Sequence, residues 1–441
     1  MSIERKFSIL EKSSTAFTLT FIIALASSST TASAQEDLTL FGGRLEIGLG
    51  AAQHFQAITA DDDTFVLDDA DADPGFGRLR FNLELKFNVT DNVFAFVDIA
   101  EEPNDFRGLD PFSLNQDFGF IDLNLSGLAG STGPSEWHLK AGNIGVGTFD
   151  GLHSFSDGSV VQGNPLIGNS PASFGTAQSG AQITGAIKPG GAVKSVAGDF
   201  AVTIPSFGGE NSPDRGFNIL TGIGIDLANG LSFSGRFFAG QGGDQLDEEV
   251  SPGVFSLDGV QQDGLFFGDG DNYILPSIDG VGERSSRVFH QGLTPGLDGF
   301  IAQFNFQYQS PSKNSLVRLW TGVAESDFSF VDADGNQTTN EDPSTVGVVE
   351  ETSSIFFFGI GGQQYILPNK LYVAGRYTMV DNTTDDVDGD ALERLQLGGG
   401  WFIADRTLLK VEFVDQDEPE GSPGQVGGGF SGFVSELSVR F

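Results

Sequence analysis

The chain has 441 residues, a formal net charge of −37 at pH 7 and no cysteine. This charge argues against a nucleic-acid-binding protein, because phosphate recognition needs clustered Lys and Arg. The absence of cysteine excludes disulfides, thiolate metal sites and thiol catalysis. With 61 glycines, 41 phenylalanines and only 19% charged residues, the composition favours strands and turns with a large aromatic surface.

The first 34 residues have the pattern of a secretory signal peptide. Positive charges include Arg5 and Lys12, an apolar stretch covers residues 16–26, and an A-x-A cleavage pattern ends at Ala34. The apolar stretch is shorter than the roughly 20 residues that a membrane helix requires. The sequence therefore predicts export and a single mature domain over residues 35–441.

The clearest strand pattern is Arg78–Val89, in which apolar and polar residues alternate without a fault. In a soluble sandwich this would be one half-buried strand. In a membrane barrel the apolar face meets lipid and the polar face meets the lumen. The length fits the about 9–11 residues of a transmembrane strand, which favours the barrel.

Segments of this kind recur along the whole chain and predict an all-β transmembrane antiparallel barrel of about sixteen strands. Fourteen or eighteen strands stay open as alternatives, since residues 179–205 and 353–364 have weak boundaries. Short turns alternate with long loops, as in outer-membrane barrels, where the turns are periplasmic and the loops extracellular. The predicted strands are centred on residues 39–52, 78–89, 93–100, 117–126, 136–145, 179–188, 198–205, 217–227, 231–240, 299–309, 315–324, 353–364, 369–379, 392–402, 407–416 and 432–441.

The last strand places Leu437, Val439 and Phe441 on one face. An aromatic terminal residue after such a strand resembles the assembly signal of Gram-negative outer-membrane barrels, although a soluble edge strand can also end in Phe. From the first strand to this residue, the chain resembles a sixteen-stranded bacterial outer-membrane porin. The resemblance implies an integral protein of the outer membrane that contacts lipid and lipopolysaccharide, uses the barrel-assembly machinery and forms a homotrimer.

Many basic residues have the inward parity of their strands, and five are expected near mid-height. These candidates for a constriction wall are Arg80, Lys140, Arg236, Arg376 and Arg394. A charge facing lipid at mid-depth costs roughly 2–4 kcal/mol, so inward placement is expected for any function. The bases either set the field of an aqueous pore or pair with inward acids such as Glu46, Glu84 and Glu412.

The third long loop, residues 146–178, is aromatic and poor in charge where the other long loops are acidic. In porins this loop folds into the barrel and narrows the pore, so the resemblance implies the same here. The acids of this loop that could face the five candidate bases are Asp150 and Asp157. The Pro-Glu-Phe-Gly-Gly type of motif of general porins is absent from the sequence.

Metal and catalytic sites find little support in the sequence. Residues 332–336 and 386–390 have carboxylates at alternate positions, which suits weak Ca²⁺ binding, but neither completes a twelve-residue calcium loop. Of the four histidines only His138 lies in a predicted strand, with no identifiable Ser or Asp partner. No cofactor, resident metal or enzymatic activity is predicted.

The main functional hypothesis is a water-filled channel for passive diffusion of small hydrophilic solutes and ions. The five bases of the candidate constriction give it a weak expected preference for anions, since a narrow channel strengthens the effect of local charge. One alternative is a substrate-specific channel, with phosphate, sugars or small acids as possible solutes. Another is a structural or adhesive barrel with a plugged lumen.

Overall fold

The computed structural model describes the chain between residues 38 and 440, with gaps. The described residues are 38–60, 75–76, 80–101, 115–148, 162, 164–172, 174–204, 206–207, 210–211, 216–242, 274–276, 283–285, 299–326, 329–331, 347–349, 353–383, 391–417 and 429–440.

Within these ranges, sixteen long strands form one antiparallel barrel. They are β1 (Leu45–Ala60), β2 (Arg80–Thr90), β3 (Val93–Glu101), β4 (Asn115–Asn124), β5 (Ser135–Thr148), β6 (Phe174–Ile187), β7 (Val193–Ile204), β8 (Gly216–Leu227), β9 (Leu231–Gly242), β10 (Gly299–Gln309), β11 (Ser315–Ser326), β12 (Ser353–Leu367), β13 (Leu371–Asn382), β14 (Leu392–Ala404), β15 (Thr407–Asp417) and β16 (Phe430–Arg440).

Each strand pairs with the next one along the chain, and β16 pairs with β1. The closing register places Gly50 opposite Arg440 and Ala60 opposite Phe430. Closure satisfies the backbone of every strand on both sides, which a chain crossing lipid requires. The predicted fold class is therefore confirmed, with sixteen strands.

Short elements flank the barrel. Leu38–Leu40 and Gly75–Phe76 pair with β1, and a four-residue helix, Leu125–Leu128, lies between β4 and β5. Three small hairpins are formed by Ser206–Phe207 with Glu210–Asn211, Ile274–Pro276 with Glu283–Ser285, and Ser329–Val331 with Gly347–Val349.

Among the described residues, no helix is both long and apolar enough to cross a bilayer.

The first strand is the largest departure from the prediction of 39–52. The chain turns back at residues 41–44, where Phe41, Gly42 and Gly43 have positive φ, and the barrel strand runs over Leu45–Ala60 instead. Leu38–Leu40 folds antiparallel onto the start of β1. The apolar residues are even-numbered before the turn, at Leu38 and Leu40, and odd-numbered after it, at Leu45 and Ile47. The prediction of one continuous strand overlooked this change of phase.

Other strands are longer than predicted at the loop end of the barrel. β5 extends to Thr148 and β6 begins at Phe174, so the third connection is shorter than the predicted 146–178. The long connections lie largely outside the described residues, and their lengths stay predictions.

The two faces of the strands differ as their alternation predicts. On β2, Phe87 and Val89 are exposed on the outer face while the inward Asn82 is fully buried. On β9, Phe233 and Phe237 are exposed on the outer face, and Phe238 points inward. The outer surface is therefore an apolar belt, as expected for contact with lipid.

Candidate functional site

A stretch of the third connection lies against the inner wall of the barrel. Residues 164–172, here called the lumenal segment, are all buried. Near the turn end, Gln162 Nε2 donates to the carbonyl oxygen of Arg406 at 2.9 Å. Further up the wall, the hydroxyls of Ser170 and Thr378 lie 3.2 Å apart. The segment therefore ascends the inner face of β13–β16.

Lys410, on β15, holds the lower part of the lumenal segment. Its Nζ donates to the carbonyl oxygens of Asn164 at 3.2 Å and Leu166 at 3.1 Å. The same Nζ lies 2.9 Å from Glu436 Oε1, directly across the ladder on β16. Both side chains of this ion pair are almost completely buried, at 1% and 0% exposure.

Two arginines hold the middle of the segment. Arg376 Nη2 donates to the carbonyl oxygen of Gly168 at 2.6 Å, and Arg394 Nη1 donates to that of Asn169 at 3.1 Å. The Nε of each donates to a glutamine directly opposite on the next strand: Gln396 at 2.8 Å and Gln416 at 2.7 Å. A hydrogen bond from each arginine to a neighbouring strand thus orients the guanidinium plane independently of the lumenal segment.

Glu412 provides the complementary charge on the same wall. Its Oε2 accepts hydrogen bonds from the backbone N–H groups of Ile167 and Gly168, the second at 3.3 Å. Its Oε1 accepts from Gln396 Nε2 at 2.9 Å. A segment outside the sheet has no ladder for its backbone groups, so buried side chains must satisfy them. Arg376, Arg394, Lys410 and Glu412 do this here. Together with Glu436, the ion-pair partner of Lys410, they are called the basic wall.

Glycine makes room for apolar side chains at this wall. A Cβ on Gly398 would come within 3.1 Å of Leu166 Cδ2 and 2.7 Å of the Val411 carbonyl oxygen. Gly400 is covered by the ring of Tyr372, which a Cβ would meet at 2.3 Å. The run of three glycines lies inside β14, as the sequence suggested, and two of them accept these close approaches.

The inner face of β5 and β7–β13 is apolar toward the loop end. β5 and β9 have Cα atoms within 8 Å of each other, although they are not neighbours in the ladder. The group of packed, buried residues in this region, here called the apolar cluster, consists of Ile144, Ala172, Ala201, Leu220, Phe238, Ile301, Trp320, Ala324, Ile355, Phe357 and Val380. Ala172 belongs to the lumenal segment, so this segment contacts both the basic wall and the apolar cluster.

The inner face of β7–β11 is open at its turn end and carries charged and polar side chains there. A recess of about 390 Å³, here called the inner recess, lies on the inner face of β7–β11. Arg236 is 31% exposed there and lies 3.4 Å from Asp199 Oδ2, and Arg318 Nε donates to Gln307 Oε1 at 2.5 Å. Its polar lining consists of Asp226, Ser232, Ser234, Arg236, Asn305, Gln307 and Arg318.

The five bases of the candidate constriction do not form one site. Arg376 and Arg394 lie together on the basic wall, while Arg236 lies in the inner recess. Lys140 packs over the Phe120 ring, with its Nζ 4.9 Å from the centroid. Arg80 is the first residue of β2, opposite Ala52.

The remaining predicted site residues fall into two groups. Asp150, Asp157 and Phe441 lie outside the described residues. Leu437 and Val439 are exposed on the outer face of β16, where the alternation placed them.

Sequence reasoning placed Lys410 and Glu412 inward but left both out of the candidate constriction, together with Glu436. Their parity gave the direction of each side chain. The signal that they bind a loop was the low charge of the third connection, whose backbone needs partners when buried.

His138 has a partner that the sequence did not reveal. Its Nδ1 lies 2.6 Å from Asp122 Oδ1 on the adjacent strand, and its Nε2 lies 3.3 Å from Glu136 Oε1. The part of the chain that the structure describes contains no group of three His, Cys, Asp or Glu residues suited to a metal ion. The acidic stretches 332–336 and 386–390 lie outside that part.

No protein-family model and no curated protein sequence matches the chain. Among solved structures, OmpF of Salmonella typhi in complex with daunomycin is 10% identical, with 92% of this chain and 100% of that chain covered and a TM-score of 0.51. The anion-selective porin from Comamonas acidovorans is 13% identical, with 90% and 100% covered and a TM-score of 0.49. The channel DcaP of Acinetobacter baumannii is 12% identical, with 92% and 100% covered and a TM-score of 0.47.

At these identities the likeness shows the fold alone, and OmpF is the structure that carries it. The resemblance to sixteen-stranded outer-membrane porins is confirmed at that level. A closed barrel with an apolar outer belt is a membrane-spanning architecture. This architecture agrees with the predicted localisation in the outer membrane.

Proposed function

We propose that this protein forms a water-filled channel for the passive diffusion of small hydrophilic solutes across the outer membrane. The observation that carries the proposal is a closed sixteen-strand barrel with an apolar outer belt and an inner recess of about 390 Å³ that is bordered by charged side chains. Barrels of 16–18 strands leave room for an aqueous channel, whereas barrels of about eight are filled by side chains. No step of this function requires a catalytic group or a cofactor.

The lumenal segment is the proposed constriction. It occupies space inside the barrel and is bound through backbone groups to four charged side chains of the wall. Attachment at Arg406, through Gln162, and at Thr378 supports a fixed position along the wall. Pore width would then depend on the gap between this segment and the opposite strands.

An anion-preferring or substrate-specific channel is the second candidate, favoured by Arg236 and Arg318 in the inner recess. Arg376, Arg394 and Lys410 are nine-tenths or more buried beneath the lumenal segment, so they would contribute less to the field along a water-filled path. Asp199 and Asp226 oppose the two recess arginines. The preference for anions would therefore be weak and would arise in the recess.

The plugged, structural barrel is supported by the apolar cluster, because an apolar lumen lining is unusual for a permeation path. The proposal includes further components that depend on the porin resemblance. They are homotrimer formation, contact with lipopolysaccharide, and assembly through the terminal strand, whose Leu437 and Val439 face outward. Weak Ca²⁺ binding by the acidic connections is likewise proposed.

Planar-bilayer conductance of the refolded protein tests the channel. Stepwise openings that scale with salt concentration and a cutoff in solute size are expected. Saturable current block by one solute would favour the substrate-specific channel. A correctly folded barrel that never conducts would exclude the channel and favour the plugged barrel.

A further inference from the structure

The lipid-facing surface of β11–β13 has a recess of about 250 Å³, here called the outer recess. Gly362 and Gly375 form its floor, since they lie opposite each other on adjacent strands and have no side chains. Val317 and Val373 stand on either side and are 43% and 47% exposed. Leu397 Cδ2 would lie 3.1 Å from a Cβ on Gly375, so it borders the same floor. These three side chains make the surface beside the glycines apolar.

The turn-side edge of the outer recess is polar. Ser315 Oγ donates to Gln364 Oε1 at 2.5 Å, and these residues lie opposite each other on β11 and β12. Gln364 is exposed. Hydrogen-bonding groups thus border the apolar floor on the side nearest the turns.

Two lysines lie just beyond this edge. Lys313 is in the turn before β11, Lys370 is in the turn before β13, and both are exposed. Among the described residues neither ammonium has a carboxylate partner within 4.0 Å. In a chain of net charge −37, these two cations lie in turns at the same end of the barrel as the polar edge of the recess, where they attract anions.

The spacing fits the depth of a lipid leaflet. Val373 and Gly375 are the third and fifth residues of β13, so at about 3.3 Å per residue they lie roughly 7–13 Å along the strand from its turn. Turns of such barrels are periplasmic. The lysines are then at headgroup level, and the glycine floor is at the level of the acyl chains.

We propose that the outer recess binds an anionic phospholipid of the periplasmic leaflet. One acyl chain lies over Gly362 and Gly375 between the two valines, and the phosphate lies near Lys313 and Lys370. Basic residues close to a membrane surface attract anionic lipids, and an apolar recess on an exposed face favours a defined occupant. Together they select one lipid from the surrounding annulus.

Native mass spectrometry of the whole protein, released from micelles containing phosphatidylglycerol or phosphatidylcholine, tests this site. We expect the wild type to retain phosphatidylglycerol about 30-fold better than the Lys313→Gln/Lys370→Gln variant, given the usual attraction per lysine. Lys188→Gln/Lys194→Gln, which changes two exposed lysines on another part of the turn end, is the matched control and should retain the lipid.

Placing a large side chain on the glycine floor of the outer recess tests whether an acyl chain binds there. Gly375→Leu should abolish retention, whereas Gly235→Leu should not, since Gly235 is an outward glycine on β9 away from the recess. Equal retention by all variants, or equal retention of phosphatidylcholine, would overturn the proposal. A change of oligomeric mass in Gly375→Leu without a change in bound lipid would assign the recess to a contact between copies instead. Folding of each variant is checked by its circular dichroism spectrum. Conductance is measured separately, so a negative result for lipid binding does not contradict the proposed channel function.

Discussion

The basic wall and the inner recess both contain an inward arginine that is hydrogen-bonded to a glutamine, but the two arginines differ in their exposure to solvent. In each, an inward arginine donates through Nε to a glutamine on an adjacent strand: Arg376 to Gln396 at 2.8 Å and Arg318 to Gln307 at 2.5 Å. Arg376 is only 2% exposed, whereas Arg318 borders an open recess. The lumenal segment makes the difference, because its carbonyl groups bind the first arginine and cover it. An inward position therefore does not make a base part of the pore field.

Two Lys–Glu pairs repeat this contrast. Lys410–Glu436 and Lys86–Glu46 both join residues directly opposite on adjacent strands, at 2.9 Å and 3.2 Å. The first pair is buried, while the side chains of the second are 36% and 32% exposed. Removing one partner of a buried pair leaves an uncompensated charge, whereas water screens the exposed pair.

The largest effect is expected for Lys410→Met. Glu436 would be left buried without its partner and Asn164 and Leu166 would lose a donor, so unfolding free energy should fall by about 3–5 kcal/mol. Urea unfolding of the refolded protein measures this. The Lys410→Met/Glu436→Gln double variant should recover part of the loss, because the unpaired charge is removed. A loss below about 1 kcal/mol in the single variant would show that the wall pair is solvated.

Phe238→Ala should give the next largest effect. The side chain is completely buried in the apolar cluster, so its removal should cost about 3 kcal/mol. Phe237→Ala is the matched control on the neighbouring, outward position, where the ring stacks on Phe300 at 5.9 Å and stays exposed. Equal losses in the two variants, measured by the same unfolding experiment, would mean that the cluster is not a packed core.

Ion selectivity should separate the inner recess from the basic wall. Arg236→Gln removes a 31% exposed charge and should shift the cation-to-anion permeability ratio toward cations by about 2–5-fold. Arg394→Gln removes the same charge from beneath the lumenal segment and should change this ratio less while lowering stability more. Reversal potentials in a salt gradient measure both. An equal shift in the two variants would place the wall charge in the water-filled path.

The smallest effect is expected for Lys86→Gln. The pair with Glu46 is exposed, and Asn88 Nδ2 also donates to Glu46 Oε1 at 2.6 Å. Unfolding free energy should therefore change by no more than about 1 kcal/mol. A loss comparable to that of Lys410→Met would remove the distinction between the two pairs.

Much of the barrel could be predicted from local pattern. Alternation on β2 identified which of its side chains face lipid, and the turns at Asp91-Asn92 and Asp405-Arg406 marked strand ends because tight connections leave a short polar break. The prediction of β1 was wrong where the chain reverses at Phe41. It joined Leu38–Leu40 to the strand that begins at Leu45, although the apolar residues of the two stretches have opposite parity. The long connections, which contain Asp150 and Asp157, give no such periodic signal.

The sequence by itself determined the fold class, the strand order and the inward direction of Arg376, Arg394 and Lys410, because a period of two assigns each residue to a face. Only the tertiary structure decided that these bases bind the backbone of the lumenal segment while Arg236 lies in an open recess. It also brought Asp122 to His138 and Leu166 to Gly398. These contacts join residues far apart in the chain or on different strands, and depend on the register and closure of the barrel, which no local pattern contains.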